Sequence, residues 1–326
     1  MTRPLRVLLV NDDGPPSPTS PYVLALYEAL VELGWTVRAV LPSGQRSWSG
    51  TNYSVSEPQV RYWYYYPISG NNDGSNPGTD GSWSDTRRQI DRARGEIGEW
   101  VLVDATPSSC TNIGIYAQET LFGETDAFDL VISGPNLGRN TGTAFCLSSG
   151  TVGAAMAGAL CHTKAIAVSY GHFAKDPPSV TPGRTDPLSK EELQVARNRA
   201  LAHTVALIKR LWREWDAHTA LYSINVPLCD TLARPEVCWT RLWPSSHGQI
   251  YCAQTDASSA ASTPGLFLDF KPQLGPAMRP STDEELEPGT DVWAVCTGKI
   301  SVTPLKTSFE HPTALPETPL SVASVL

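Results

Sequence analysis

Leu8-Leu9-Val10-Asn11-Asp12-Asp13-Gly14 is the stretch whose reading decides the fold. It continues an apolar run that starts at Val7 and has no polar alternation, the pattern of a parallel strand buried on both faces. The run stops abruptly at an amide, two carboxylates and a glycine. Adjacent carboxylates at a strand's end repel each other, so a positive group between them is the economical arrangement. A hard divalent cation bound through oxygen meets that need. In open α/β sheets the crevice beyond the carboxyl ends of the strands is where ligands bind. The same residues also read as a solvated polar turn, with Gly14 reversing the chain.

Outward from this stretch, Ser20-Pro21 reads as an N-cap followed by a proline at the first helical position. The helix would present Val23, Leu26, Tyr27, Leu30 and Val31 on one face and end before Gly34. Trp35 to Leu41 then gives a second strand and completes a right-handed βαβ unit. Arg46, Ser47 and Ser49 follow it, which brings hydroxyls to the sheet edge that carries the carboxylates.

Asn52 to Tyr66 reads as extended, and its run of aromatics from Tyr62 serves either strand packing or the stacking of a nucleobase. Gly70 to Gly81 has the composition of a surface insertion, and Arg87 to Arg94 reads as a solvated basic face. Glu99 to Asp104 is a strand, and Thr106-Pro107 opens a helix that runs to Phe122. The apolar run Ala127 to Ile132 empties into Ser133-Gly134-Pro135-Asn136-Leu137-Gly138-Arg139-Asn140. Beyond it, Ser149-Gly150-Thr151-Val152-Gly153-Ala154-Ala155 is a glycine-rich loop feeding a helix of small residues. Free N–H groups and the positive dipole end make such a helix start a seat for phosphate. Small residues also let the helix lie close on a sheet.

Ala165 to Ser169 is the next strand. Ser189 with Glu192 forms a capping box for a long helix that carries His203 on its apolar face, as a core histidine. After the strand Leu221 to Val226 the composition shifts to Pro, Ser and Thr, which marks a smaller lobe. Asp291 to Ala294 and Lys299 to Pro304 read as a final β pair around Gly298, and the proline-punctuated tail after Leu305 as an arm.

With 41% hydrophobic and 18% charged residues, the 326-residue chain has the composition of a folded α/β protein. Its net charge of −8 excludes a broad basic surface for large nucleic acids. Seven cysteines in this length are no disulfide framework. Free thiols are expected, with a bridge among Cys229, Cys238 and Cys252 left open. No signal peptide and no membrane span is read, so a cytoplasmic protein is expected if Met1 is the natural start.

Three separated motifs resemble the survival protein E (SurE) family of metal-dependent nucleotidases and phosphatases. They are Leu9 to Gly14, Ser133 to Gly138 and Ser149 to Ala155, with weaker matches at Leu41 to Ser47, Thr106 to Cys110, Ile224 to Pro227 and Thr290 to Leu305. The resemblance implies a Rossmann-like three-layer α/β/α sandwich with a mostly parallel sheet. It adds a smaller β-hairpin lobe and a C-terminal arm used in oligomerisation. The core would span 1–228 with an insertion near 67–96, and the lobe and arm 229–326.

The resemblance further implies one divalent ion, Mg²⁺ or Mn²⁺, with Ca²⁺ a further candidate, on Asp12, Asp13, Ser47 and Asn136. Asp12 and Asp13 would be catalytic, as nucleophile or as base. Asn11, Gly14, Asn140, Ser149, Gly150 and Thr151 would contact phosphate or substrate. The implied reaction is hydrolysis of a small phosphomonoester such as a nucleoside monophosphate, by a homodimer or a dimer of dimers. Two other readings remain at this stage: a phospho-accepting receiver domain, and a module that binds nucleotides or sugar phosphates without turnover. The chain departs from the family pattern in its prolines after Gly14, in the Gly70 to Gly81 insertion, and at Thr143 and Ala144, where acidic residues are usual in bacterial members.

Overall fold

The computed structural model describes residues 3–53, 55, 59–70, 81–172, 188–253, 268–272 and 286–309. The apolar run becomes β1 (Arg6–Val10), every residue of it buried. It is followed by α1 (Val23–Glu32), β2 (Thr36–Pro42), β3 (Tyr62–Tyr66), β4 (Ser82–Ser84) and β5 (Trp100–Val103). Next come α2 (Pro107–Tyr116), α3 (Gln118–Phe122), β6 (Leu130–Leu137), α4 (Gly142–Ser148), α5 (Gly150–Leu160) and β7 (Lys164–Gly171). The chain continues through α6 (Lys190–Arg213), β8 (Leu221–Pro227), β9 (Val237–Trp239), β10 (Tyr251–Ala253), β11 (Leu268–Phe270), α7 (Asp291–Cys296) and β12 (Ile300–Leu305).

Among the described residues ten strands form one sheet, in the order β4-β3-β5-β2-β1-β6-β7-β8-β12-β9. The six from β5 to β8 run parallel. Antiparallel partners close both sides, β3 on β5 and β12 on β8. β1 lies in the middle because the chain first builds outward through β2 and β5, then crosses back to lay β6 on the other side of β1. That reversal makes the gap between β1 and β6 the topological switch point, where the loops diverge and leave a crevice. Val10 pairs with Ser133, so the residues after Val10 emerge beside the Gly134–Leu137 end of β6.

Alternation along β1 divides the core into two layers. Val7 and Leu9 pack with Leu26 and Leu30 of α1 and Ala196, Ala200 and Ile208 of α6. Leu8 and Val10 face the other way, toward Cys110 of α2 and Val152, Ala154 and Ala155 of α5. The expected three-layer sandwich with a mostly parallel sheet is the observed architecture. β9 and β12, both from beyond residue 228, hydrogen-bond into this main sheet, whereas β10 and β11 pair only with each other.

Several local expectations are corrected. α1 begins at Val23 with Tyr22 as an unassisted N-cap, because the Ser20 hydroxyl is spent elsewhere: it donates to the Gly14 carbonyl and accepts from the Asn11 amide. The helix read through to Phe122 breaks at Ala117 into α2 and α3. Among the described residues of Asn52 to Tyr66 only Tyr62–Tyr66 forms a strand, and Tyr64, Tyr65 and Tyr66 are buried in packing. Asp291 to Ala294 lies in a helix, capped by Thr290 Oγ1 on the Trp293 N–H, and only the Ile300–Leu305 half of the expected β pair is a strand.

The basic face is solvated as read, with Arg87, Arg92 and Arg94 exposed, and it is also braced by ion pairs. Arg88 grips Glu96 through both guanidinium nitrogens at 2.6 and 2.8 Å, and Arg87 pairs with Glu99. His203 is half-buried, with Nε2 2.9 Å from the Leu232 carbonyl oxygen. All seven cysteines are free thiols. Most of the Gly70 to Gly81 insertion and the tail from 310 lie outside the described residues. Among those described, no single helix is long and apolar enough to cross a membrane.

Candidate active site

Four chain segments meet at the switch point. The turn after β1 is stiffened from within: Asn11 Oδ1 accepts the Gly14 N–H at 3.0 Å, while its Nδ2 donates to the Gly14 carbonyl at 2.8 Å. Gly14 has φ +85°, in the left-handed region that favours glycine, and a Cβ there would also meet the Gly44 backbone at 3.0 Å. This closed turn fixes the directions of Asp12 and Asp13. Asn11 and Gly14 therefore serve the turn, and neither lines the cavity.

Asp12 and Asp13 are 3% and 2% exposed. Asp12 Oδ1 accepts the Thr151 hydroxyl at 2.5 Å, and the first residues of α5, Gly150 and Thr151, offer their amides to the same carboxylate. Burial still pushes Asp12 above the usual carboxylate range. Asp13 is pushed up in the same direction, by its own burial first and then by the charge on Asp12. Asp13 Oδ2 accepts the Leu137 N–H at 2.8 Å, which ties the end of β6 to the turn. Its Oδ1 is buried without a close hydrogen-bond partner, and the Gln45 side chain lies near enough to the carboxyl to draw its pKa part of the way back down.

Gly150 lets α5 come this close, since a Cβ there would lie 2.7 Å from both Asp12 Cβ and Ser49 Oγ. The start of α5 is thus aimed at Asp12. Ser149 is its N-cap, with Oγ accepting the Val152 N–H at 3.0 Å. The loop after β6 is anchored on a polar row: Asn136, Ser169 and Asn225 are register partners across β6, β7 and β8. Asn140 donates its side-chain amide to Ser169 Oγ and its backbone N–H to Asn225 Oδ1. Asn136 donates Nδ2 to the Gly138 carbonyl at 2.8 Å.

α4 has no side-chain cap of its own, and distant groups satisfy its first amides. Buried Asp291 accepts the Gly142 N–H, the Trp243 carbonyl takes that of Thr143, and Ser245 Oγ takes that of Ala144.

The segments enclose a cavity of about 170 Å³, whose lining includes Asp12, Ser47, Asn136, Asn140 and Ser149. The structure therefore brings together most of the residues singled out in the sequence. Thr151 and Gly150 stand behind Asp12, and Asn11 and Gly14 lie in the turn. Sequence reading missed Trp48, Phe145 and Ser148, which also line the cavity. The one signal for Trp48 is its place directly after Ser47. Phe145 and Ser148 carry none, because only the clamp on α4 brings them in.

Among the described residues no group of three or more His, Cys, Asp or Glu could hold a metal. The candidate donor set is instead two carboxylates with neutral oxygens from Ser47 and Asn136. Two adjacent buried carboxylates and an orphaned Asp13 Oδ1 suit a hard, oxygen-preferring divalent cation.

The family model for survival protein SurE matches residues 7–249 of the chain. The chain belongs to the SurE family. Two 5'-nucleotidases named SurE are each 28% identical to this SurE chain. The one from Desulforudis audaxviator aligns over 97% of this chain and 98% of its own length, and the one from Archaeoglobus fulgidus over 93% and 91%. A probable tubulin–tyrosine ligase, PBY1 of Saccharomyces cerevisiae, is 30% identical over 94% of this chain, which spans only 41% of that longer protein. The crystal structure of the SurE protein from Aquifex aeolicus superposes with a TM-score of 0.58 over 94% of each chain at 24% identity, and shows the shared fold.

Proposed function

We propose that this chain is a divalent-cation-dependent phosphomonoesterase that acts on small phosphomonoesters of the nucleoside monophosphate class. The observation that carries this reading is Asp13. Its buried Oδ1 lacks a hydrogen-bond partner, and its neighbour Asp12, a second buried carboxylate, lines the cavity on the switch point. The SurE relatives named as 5'-nucleotidases, which align over nearly their full length, support the reaction class.

Asp12, Asp13, Ser47 and Asn136 would hold the cation. When bound, Mg²⁺ or Mn²⁺ would neutralise charge on the phosphoryl oxygens and lower the pKa of a water. The protein's own groups do the rest. Thr151 and the start of α5 hold Asp12 in place and partly offset the burial that raises its pKa, and the Leu137 amide orients Asp13. Asn140, locked on the polar row, and the Ser149 turn frame the space for the phosphoryl group. Either aspartate would serve as nucleophile or as the base that takes a proton from an attacking water.

A receiver domain would need a lysine closing a late strand, whereas β7 ends in Ser169-Tyr170-Gly171. A binding module would have no use for the buried acidic pair. The cytoplasm, and a dimer built through residues 229–326 as a smaller lobe and arm, are part of the same proposal. Turnover of p-nitrophenyl phosphate, its loss in EDTA and its recovery with Mn²⁺ or Mg²⁺ test it. Full activity of a verified metal-free preparation would rule out the cation, and no turnover under any condition would rule out the enzyme.

A further inference from the structure

We infer that Trp48, with Phe145 and Phe270, forms an aromatic rim that stacks the nucleobase of the substrate, the planar end of the nucleoside that leaves. This rests on the phosphomonoesterase reading above and adds the residue that sets its specificity. The cavity holding Asp12 and Asn136 measures about 170 Å³. Pockets that enclose a drug-sized molecule run to ~300–1,000 Å³. A nucleotide seated by its phosphoryl group would therefore extend beyond the polar floor and lie across whatever forms the rim.

That rim is aromatic. The Trp48 and Phe145 ring centroids are 5.7 Å apart in an edge-to-face arrangement, and Phe270 of the β10–β11 hairpin stands edge-on to Trp48 at 5.6 Å. His247 lies 5.5 Å from Trp48, with its Nε2 3.0 Å from Ser148 Oγ. Phe270 is half-exposed. Three aromatic neighbours converge on one indole at the mouth of a polar cavity.

The position of Trp48 is fixed relative to the acidic pair. Two residues before it, the Arg46 N–H donates to the Asp12 carbonyl at 2.7 Å, and two residues after it, the Gly50 N–H donates to the Ser148 carbonyl at 2.9 Å. Between these pins Trp48 has φ +65°, which is costly for a bulky side chain and persists only where its surroundings impose it. The strained backbone holds the indole beside Ser47 at the cavity. Stacking of a base on an aromatic side chain is sequence-tolerant and worth about a tenfold change in affinity when the ring is removed. The rim therefore selects a leaving nucleoside that carries a flat base over a purely aliphatic alcohol, without selecting among bases.

AMP and ribose 5-phosphate carry the same phosphoryl and sugar groups and differ only in the base. Wild-type protein with Mn²⁺ is expected to prefer AMP in kcat/KM by tenfold or more. Trp48→Ala should reduce that preference about tenfold, chiefly through KM for AMP, while Trp48→Phe should keep most of it. Phe270→Ala, on the half-exposed hairpin, should reduce it by a smaller factor and carries the test if Trp48→Ala does not fold. A wild-type enzyme that does not distinguish the two esters, or variants that lose both activities equally, would overturn the rim. Calorimetric titration with adenosine needs no turnover. Binding by the wild type that Trp48→Ala loses supports the rim even in a protein inert toward every phosphomonoester, a result that would overturn only the hydrolase reading. No adenosine binding at millimolar concentration by an active enzyme would overturn the rim alone.

Discussion

At the scale of single residues, Asp13 does two jobs through two oxygens. Oδ2 holds the Leu137 amide and Oδ1 is the orphan that faces the proposed cation. Asp13→Asn separates these jobs, because an asparagine carbonyl can keep the Leu137 bond while its amide takes the orphan's place. Without a cation, the variant also loses the repulsion between two buried carboxylates. The metal-free variant is therefore expected to melt at or above the wild-type temperature, to lose the rise in melting temperature that Mn²⁺ gives the wild type, and to lose about 10²–10³ in turnover. Melting curves with and without Mn²⁺, beside steady-state kinetics, check all three. A lower metal-free melting temperature would mean that Asp13 is a structural hydrogen-bonding residue. Asn136→Asp should act in the opposite sense on the cation, binding Mn²⁺ at least as tightly by calorimetry while slowing turnover through added negative charge. The acidic pair was legible in the sequence because two adjacent carboxylates after a buried strand have few cheap structures open to them. The duty of Asn11 was not, since nothing local distinguishes an asparagine that closes its own turn from one that faces a ligand.

At the scale of elements, legibility followed whether a polar side chain is satisfied locally. Thr106 before Pro107 caps α2 as read, with Oγ1 accepting the Ser109 N–H, and Ser189 with Glu192 forms the capping box as read. Ser20 has the same signature, but Asn11 and Gly14 take its hydroxyl and α1 starts without it. Asp291 is likewise claimed from afar, by the amides of Gly142 and Trp243, and the short Asp-Val-Trp-Ala run that reads as a strand folds as a helix. Thr106→Ala is expected to cost about 1 kcal/mol in denaturant melts, with kcat/KM little changed. Glu96 gives a pH signature. The Arg88 guanidinium, with help from Ser82 and the Asp91 amide, holds the buried Glu96 carboxyl down at about 2, against an ordinary 4.5. A carboxyl lowered on folding stabilises fully above its unfolded pKa, and that contribution disappears as the pH falls toward the folded value. Wild type should therefore outlast Glu96→Gln by a constant margin above pH ~4.5, narrowing toward pH ~2. A margin that does not vary with pH would show that the pair contributes through shape and hydrogen bonding alone.

At the scale of the whole molecule, the sheet has two outer edges, β4 and β9. β9 is only three residues long, yet it exposes Val237 at 46% and Trp239 at 63%. Its nearby charges, Glu236 and Lys299, pair with each other and leave this edge without the single unpaired lysine that commonly protects one. An open sheet edge with apolar side chains is a template on which another chain can pair. The same strand hydrogen-bonds to β12, which joins it to β8 beside the active-site row, so a partner there would stiffen the half of the sheet that carries Asn225. A homodimer through β9 is the expected state, with a sedimentation mass of twice the 35.3 kDa chain and a melting temperature that rises with protein concentration. Val237→Lys puts a charge on the exposed edge without touching the Tyr222 contact of Trp239, so it should yield a folded monomer whose melting temperature no longer depends on concentration. A wild-type mass of one chain across working concentrations would exclude the dimer. A Val237→Lys protein that stays dimeric would move the interface away from β9.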